Sequence, residues 1–253
     1  MLRARVIPCL LLKNLGLVKT VGFRDPKYLG DPINIVKIFN DKEVDELIFL
    51  DITATNENKK PPFDLLAKIT TECFMPLGYG GGIRRAEDIK TILNLGVEKI
   101  CVNTQAVENP SFVKAAAEIA GSQAIVVSID VKKNHTGNYE VYTHSGQKAT
   151  GLHPVGHAVD MEKQGAGELL LNSIDRDGIM KGYDLELIKQ VSDAVGIPVV
   201  ACGGAGTVQH LAEAVKTGAS AAAAGSMFVF QGPLRAVLIS YPTRQELSEV
   251  LDA

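Results

Sequence analysis

The chain has 253 residues, 46 % hydrophobic and 22 % charged, with 24 Gly and 11 Pro, a balance that excludes wholesale disorder. Its 26 basic and 29 acidic residues leave a formal net charge of −3, so there is no general attraction to nucleic acid or to an anionic membrane. The longest uncharged stretch, 217–234, is broken by Gly, Ser, Gln and Pro, which excludes it as a membrane span. The run 6–12 behind Arg3 and Arg5 is short and contains Pro8, so it is not read as a signal peptide.

Short β-branched apolar runs predict strands at 5–10, 46–51, 75–79, 99–102, 124–130, 168–173, 198–201 and 219–225. Helix starts lie between them. Asp31 before Pro32 and Asn109 before Pro110 place a capping side chain ahead of a first-turn proline. The stretch 87–95 carries Ile89, Ile92 and Leu93 at helical spacing, and Asp184 and Thr207 are further caps. Pro154, between His153 and His157, argues against a regular helix there. All five histidines (His135, His144, His153, His157, His210) are therefore expected on the surface or in loops, with no metal site. Cys9, Cys73, Cys101 and Cys202 form no CxxC pair, so a reducing cytoplasm is expected and neither zinc nor disulfides are.

Eight strands alternating with helices, undivided by any linker, predict an α/β protein: one (β/α)8 TIM barrel over 1–253. A doubly wound open sheet is the structural alternative. The halves repeat: residues 6–13 align with 125–132, placing Cys9 on Ser128, Leu11 on Asp130 and Lys13 on Lys132. Residues 49–52 resemble 173–176, and Gly80-Gly81-Gly82 resembles Gly203-Gly204-Ala205. Asn103-Thr104 and Gly225-Ser226 follow their glycine clusters at matching distance. Four landmarks in one order imply a twofold half-barrel repeat, about 1–121 and 122–253.

In a barrel these glycine clusters share the C-terminal rim, where backbone N–H groups can approach an oxyanion closely. A single cluster would be read as a tight turn. A duplicated one favours a substrate with a phosphate at each end. Asp51, Asp130, Asp175 and Asp177 end strands at this rim, where a buried carboxyl can work as acid or base. Leu11 mirrors Asp130 and can carry no proton. Cys9 reads as a small core residue inside the first strand. Arg5, Glu46, Lys99 and Glu168 mark the opposite rim and could close a neutral ring, which by itself reads as a structural salt-bridge cluster.

These motifs resemble the cyclase subunit of imidazole glycerol phosphate synthase. The matching stretches span nearly the whole chain: 5–10 with Lys13 and Lys19, Gly30-Asp31-Pro32, 44–54, 80–83, 102–110, 121–124, Ile129-Asp130, 165–168, 173–178, Gly182-Tyr183-Asp184 and 203–206. The resemblance implies a barrel that takes ammonia from a separate glutaminase subunit at its N-terminal face and cyclises a bisphosphorylated ribulosyl intermediate, with no cofactor or metal. Position by position it implies one phosphate site at Gly82, Asn103 and Thr104 and another at Asp177, Gly178, Gly204, Gly225 and Ser226. It also implies an ammonia gate at Arg5, Glu46, Lys99 and Glu168, a substrate loop and mouth with Cys9, Lys19 and Asp51, and a catalytic Asp130.

The family's other catalytic aspartate falls on Leu11, and the segment 152–157 lacks the usual tryptophan near Gly156. The stretch 9–13, Asn172-Ser173-Ile174 and the ending 236–242 resemble second-copy paralogues of surface-polysaccharide (O-antigen) pathways. There a glutaminase and a sugar amidotransferase convert an acetamido to an acetamidino sugar. The expectation is thus an ammonia-handling barrel diverted to sugar amidation, with a phosphorylated or nucleotide-sugar substrate. Two alternatives stand beside it: a histidine-pathway cyclase in which Lys19, Asp51 or Asp175 replaces the lost acid, and a non-catalytic conduit that activates its glutaminase.

Overall fold

Parallel strands cannot be joined by tight turns, so each must be followed by a crossover, here a helix that covers one sheet face. The computed structural model describes residues 4–251 and has eight parallel strands in this arrangement. They are β1 (Arg5–Lys13), β2 (Leu47–Asp51), β3 (Leu77–Gly80), β4 (Lys99–Val102), β5 (Ile125–Lys133), β6 (Glu168–Ser173), β7 (Val199–Cys202) and β8 (Ala221–Ala224). Each pairs with the next in sequence order, and β8 pairs with β1, which closes the barrel. The doubly wound alternative is excluded by that closure.

Side chains alternate across each strand, and this divides the core in two. Val6, Leu10 and Leu12 of β1, with Ile125, Val127 and Ile129 of β5, pack outward against the helices. Ile7, Ile48, Val126, Leu170, Val200 and Ala221 pack inside the barrel. Among the described residues no helix is long and apolar enough to cross a membrane.

The helix starts follow the predicted chemistry in most places. Asp31 accepts from the Asn34 N–H at 3.0 Å ahead of Pro32, Asp184 from Leu187 and Thr207 from His210. Asn109 does not cap: its side chain accepts from the Ser111 hydroxyl, and the helix Ser111–Ala120 begins after Pro110. The segment at Pro154 is a correction. A regular helix, Pro154–Lys163, starts there because proline at the first position lacks only an N–H that would have been unpaired. His153 caps it, and His157, one turn in, is buried rather than a surface residue.

Two antiparallel excursions were not visible in the apolar pattern. β1 and β5 each run nine residues and project past the barrel. Beyond it, β1 pairs with Gly16–Val21, which pairs in turn with Arg24–Gly30; β5 pairs with Tyr139–Thr143, which pairs with Lys148–Ala149. Asp130 therefore lies inside a strand, three residues before its end at Lys133. The tight turn between β1 and its partner holds Asn14 and Leu15 at positive φ, 50° and 66°, as a two-residue hairpin requires. Both excursions rise at the C-terminal rim, at corresponding places in the two halves.

Asp31→Ala removes the capping oxygen from an exposed helix start. It is expected to lower stability by about 1 kcal/mol. The urea midpoint should fall with no change in slope, and an unchanged midpoint would contradict the capping role.

Candidate functional site

The C-terminal rim encloses a cavity to which nearly every loop after a barrel strand contributes. Its glycines are held by close backbone approaches. Gly82, after β3, has φ +70°, and a Cβ there would stand 2.6 Å from the Lys59 carbonyl oxygen. Gly204, after β7, has φ +120°, and its Cβ would stand 2.2 Å from the Gly182 carbonyl. Only glycine fits either place, one in each half. Gly82 shares its side of the mouth with Asn103 and Thr104; Gly204 lies with Asp177, Gly178, Gly225 and Ser226.

The side chains on the first side are already engaged. The Asn103 amide donates to the carbonyls of Ser128 and Tyr142, at 3.0 and 3.2 Å, and the Thr104 hydroxyl accepts from the His144 N–H. Asn103 thereby ties β4 to β5 and to the excursion above it. On the second side the Ser226 hydroxyl is buried without a hydrogen-bond partner, a polar atom left available at the rim.

The excursion after β1 folds down over this second side. Lys19 is buried and donates to Asp177 at 2.6 Å, the Thr20 hydroxyl donates to the same carboxylate at 2.9 Å, and the Gly22 N–H reaches the Asp177 carbonyl. Lys19 lies so close to Gly225 that a Cβ there would be 2.8 Å from its Cε. Asp51 keeps one oxygen on its own loop, accepting from Thr53 and Ala54. Asp175, also a candidate acid, is not among the cavity-lining residues. It accepts from the Lys133 N–H at 2.8 Å and pins the end of β5.

Asp130 has the environment of an acid–base group. Burial raises its pKa to about 7; the Asp177 charge adds to the rise, while bonds from Ser128 and Asn172 oppose it. Leu11 faces it from β1, four strands away around the barrel, and lines the same cavity. Cys9, Cys101 and Cys202 also line it. Burial pushes the Cys101 thiol far up, and the Cys9 contact together with burial does the same for Cys202. Neither is a thiolate nucleophile at neutral pH.

At the other end of the barrel the four predicted charges meet. Arg5 donates to Glu46 and to Glu168, and Lys99 donates to the same two carboxylates at 2.9 and 2.7 Å. Burial alone would lower the Arg5 pKa, but the bonds and charges of Glu168 and Glu46 carry it upward. The ring alternates in sign, and the apolar inner core lies between it and the mouth. Thr20, Ser128 and Asn172 line the cavity and were missed in the sequence. Period-two spacing offered the signal for two of them: Ser128 lies two before Asp130, and Asn172 lies two after Leu170 and four after Glu168.

The histidine biosynthesis protein family matches residues 5–234. A provisionally named imidazole glycerol phosphate synthase subunit hisF2 of Pseudomonas aeruginosa is 50 % identical, covering 98 % of this chain and 99 % of the relative. A provisionally named subunit hisF3 of Vibrio vulnificus is 46 % identical over 100 % and 98 %. The imidazole glycerol phosphate synthase subunit HisF of Alkaliphilus metalliredigens is 47 % identical over 90 % and 91 %. The chain belongs to the histidine biosynthesis protein family, as a HisF-like barrel.

Because the folded-state pKa of Asp130 is raised toward 7, its burial weakens the fold progressively from about pH 4 up to about pH 7, and no further above that. Asp130→Asn removes the penalty. The variant should exceed the parent in stability at about pH 8, by an amount on the order of a few kcal/mol, and the gap should close toward pH 4. Denaturant midpoints across pH test this; a gap independent of pH would contradict it.

Proposed function

We propose that this HisF-like barrel uses ammonia from a glutaminase docked at its N-terminal face, and that its chemistry has been diverted from the histidine intermediate to amidation of a surface-polysaccharide sugar. The observation that carries the diversion is Leu11, which lines the mouth opposite Asp130 where the family resemblance requires a second catalytic aspartate. The rest of the cyclase layout is retained, and this favours continued use of ammonia. Arg5, Glu46, Lys99 and Glu168 form the entrance gate; the inner core is the ammonia passage. Gly82, Asn103 and Thr104 take one phosphate, and Asp177, Gly178, Gly204, Gly225 and Ser226 the other. Cys9, Lys19 and Asp51 complete the mouth.

On this reading Asp130 is the single group of the mouth poised to exchange a proton near neutrality. The substitutes for the lost acid are occupied: Lys19 is bound to Asp177, and Asp175 holds the Lys133 N–H. The natural substrate is a phosphorylated or nucleotide-linked acetamido sugar. A sugar amidotransferase acts with the barrel in the conversion to the acetamidino form. The site of action is the cytoplasm.

The test is a glutamine-coupled assay with a glutaminase partner and the bisphosphorylated ribulosyl intermediate of histidine synthesis. One general acid or base contributes about 10²–10⁴-fold to a rate. The unmodified protein is expected to give almost no turnover, and Leu11→Asp to raise it by at least about 10²-fold. Ready turnover by the unmodified protein would return it to the histidine pathway. Full pathway output from Asp130→Asn would instead make the barrel a conduit.

A further inference from the structure

Asn172 stands beside Asp130 in a way that the retained layout does not account for. The two are register partners on the neighbouring strands β5 and β6, both point into the mouth, and they are 6 % and 8 % exposed. The Asn172 amide bonds the Asp130 carboxylate and favours its charged form, so its NH2 side faces the acid. Its Oδ1 is buried with no hydrogen-bond partner. That oxygen lies over Gly203, where a Cβ would stand 2.7 Å from it, so the glycine provides the space the amide occupies. A buried acceptor left unpaired costs about 1–3 kcal/mol, and such a group calls for an explanation.

Resting on the reading of Asp130 as the acid–base group, we propose that Asn172 is its positioning residue, turning its amide over with the Asp130 proton. When Asp130 is charged, Nδ2–H donates to it. When Asp130 is protonated, the amide rotates about its last bond and Oδ1 accepts the carboxyl O–H. A fixed donor would hold the acid in one state; a side-chain amide carries a donor and an acceptor on one carbon and serves both. The other groups facing Asp130 cannot do this. Ser128 reaches it only at 3.4 Å; Asp177 is a like charge; Lys19 is committed to Asp177; the Cys9 and Cys202 thiols bond each other. No other charged side chain lines the mouth beside it except Asp51, which is anchored on its own loop.

The experiment is a titration of the full chain, labelled with carbon-13 and nitrogen-15, from about pH 5 to about pH 9. It follows the Asp130 carboxyl carbon and the Asn172 side-chain NH2. The proposal expects both to move with one shared midpoint, and the Asn172 shift to vanish in Asp130→Asn. If Asp130 titrates while Asn172 stays flat, the amide is a fixed donor and the proposal fails, although the acid–base reading survives. If Asp130 does not titrate in this range, both fail. Asn172→Leu gives a second measure. Loss of a two-way partner leaves the Asp130 midpoint nearly in place, whereas loss of a fixed donor raises it by about one unit and overturns the proposal.

Discussion

The mouth and the floor of this barrel depend on one pairing, that of β5 with β6, which runs in register from Val126 opposite Glu168 to Val131 opposite Ser173. Its inward line on β6 holds Glu168, Leu170 and Asn172, and on β5 it holds Val126, Ser128 and Asp130. One strand pair therefore places a member of the charged ring, two linings of the inner core and the acid with its neighbour. Because side chains alternate with a period of two, a slip of one residue would turn all of these out into the helix layer and bring Leu169 and Leu171 inside. Floor and mouth cannot be adjusted separately, so the geometry at Asp130 is tied to the geometry of the ring.

The ring is hard to explain by stability. Glu46 and Glu168 have side chains only 2 % and 5 % exposed, and removing a carboxylate from water costs several kcal/mol even after relaxation. Strict alternation of sign lets each carboxylate meet both cations, which offsets much of that cost. Apolar residues of similar volume would plug the same opening with no charge to desolvate. A polar floor beneath an apolar interior is instead the arrangement expected where a small polar molecule must be admitted and bulk water kept out. Glu46 keeps one buried oxygen without a hydrogen-bond partner, so even this closed ring leaves an acceptor unused.

All eight barrel strands were legible because each is buried on both faces and reads as an apolar run. The excursions were not, since Arg24–Gly30 is mostly exposed and carries Arg24, Asp25 and Lys27. Its place is set by contacts far away in sequence, above all Lys19 and Thr20 on Asp177. The same reason hid the engagement of Asn103, whose partners Ser128 and Tyr142 lie on other elements. His157 misled because Pro154 was weighed as a helix breaker, when at a first position proline starts a helix as readily as it ends one. The charged ring could be read as four strand-start residues, but only closure of the barrel brings them into contact.

Leucine at position 11 alters more than the number of acids. Two carboxylates facing one another across a mouth can divide the work, one kept charged and one kept protonated by their different surroundings. With Leu11 no such division is open, and a lone group must either remain in one state or pass between the two. Burial brings Asp130 to about 7, where passing between them is inexpensive, and Leu11 presents methyl groups to the cavity rather than a second charge. The remaining nearby carboxylate, Asp177, is held by Lys19 and Thr20, so its charge is largely answered before it reaches the mouth. The clasp of the first excursion and the substitution on β1 thus act on the same quantity, the proton affinity of one buried aspartate. That convergence is the physical reason to look for a reaction at this mouth rather than to read the barrel as an inert passage.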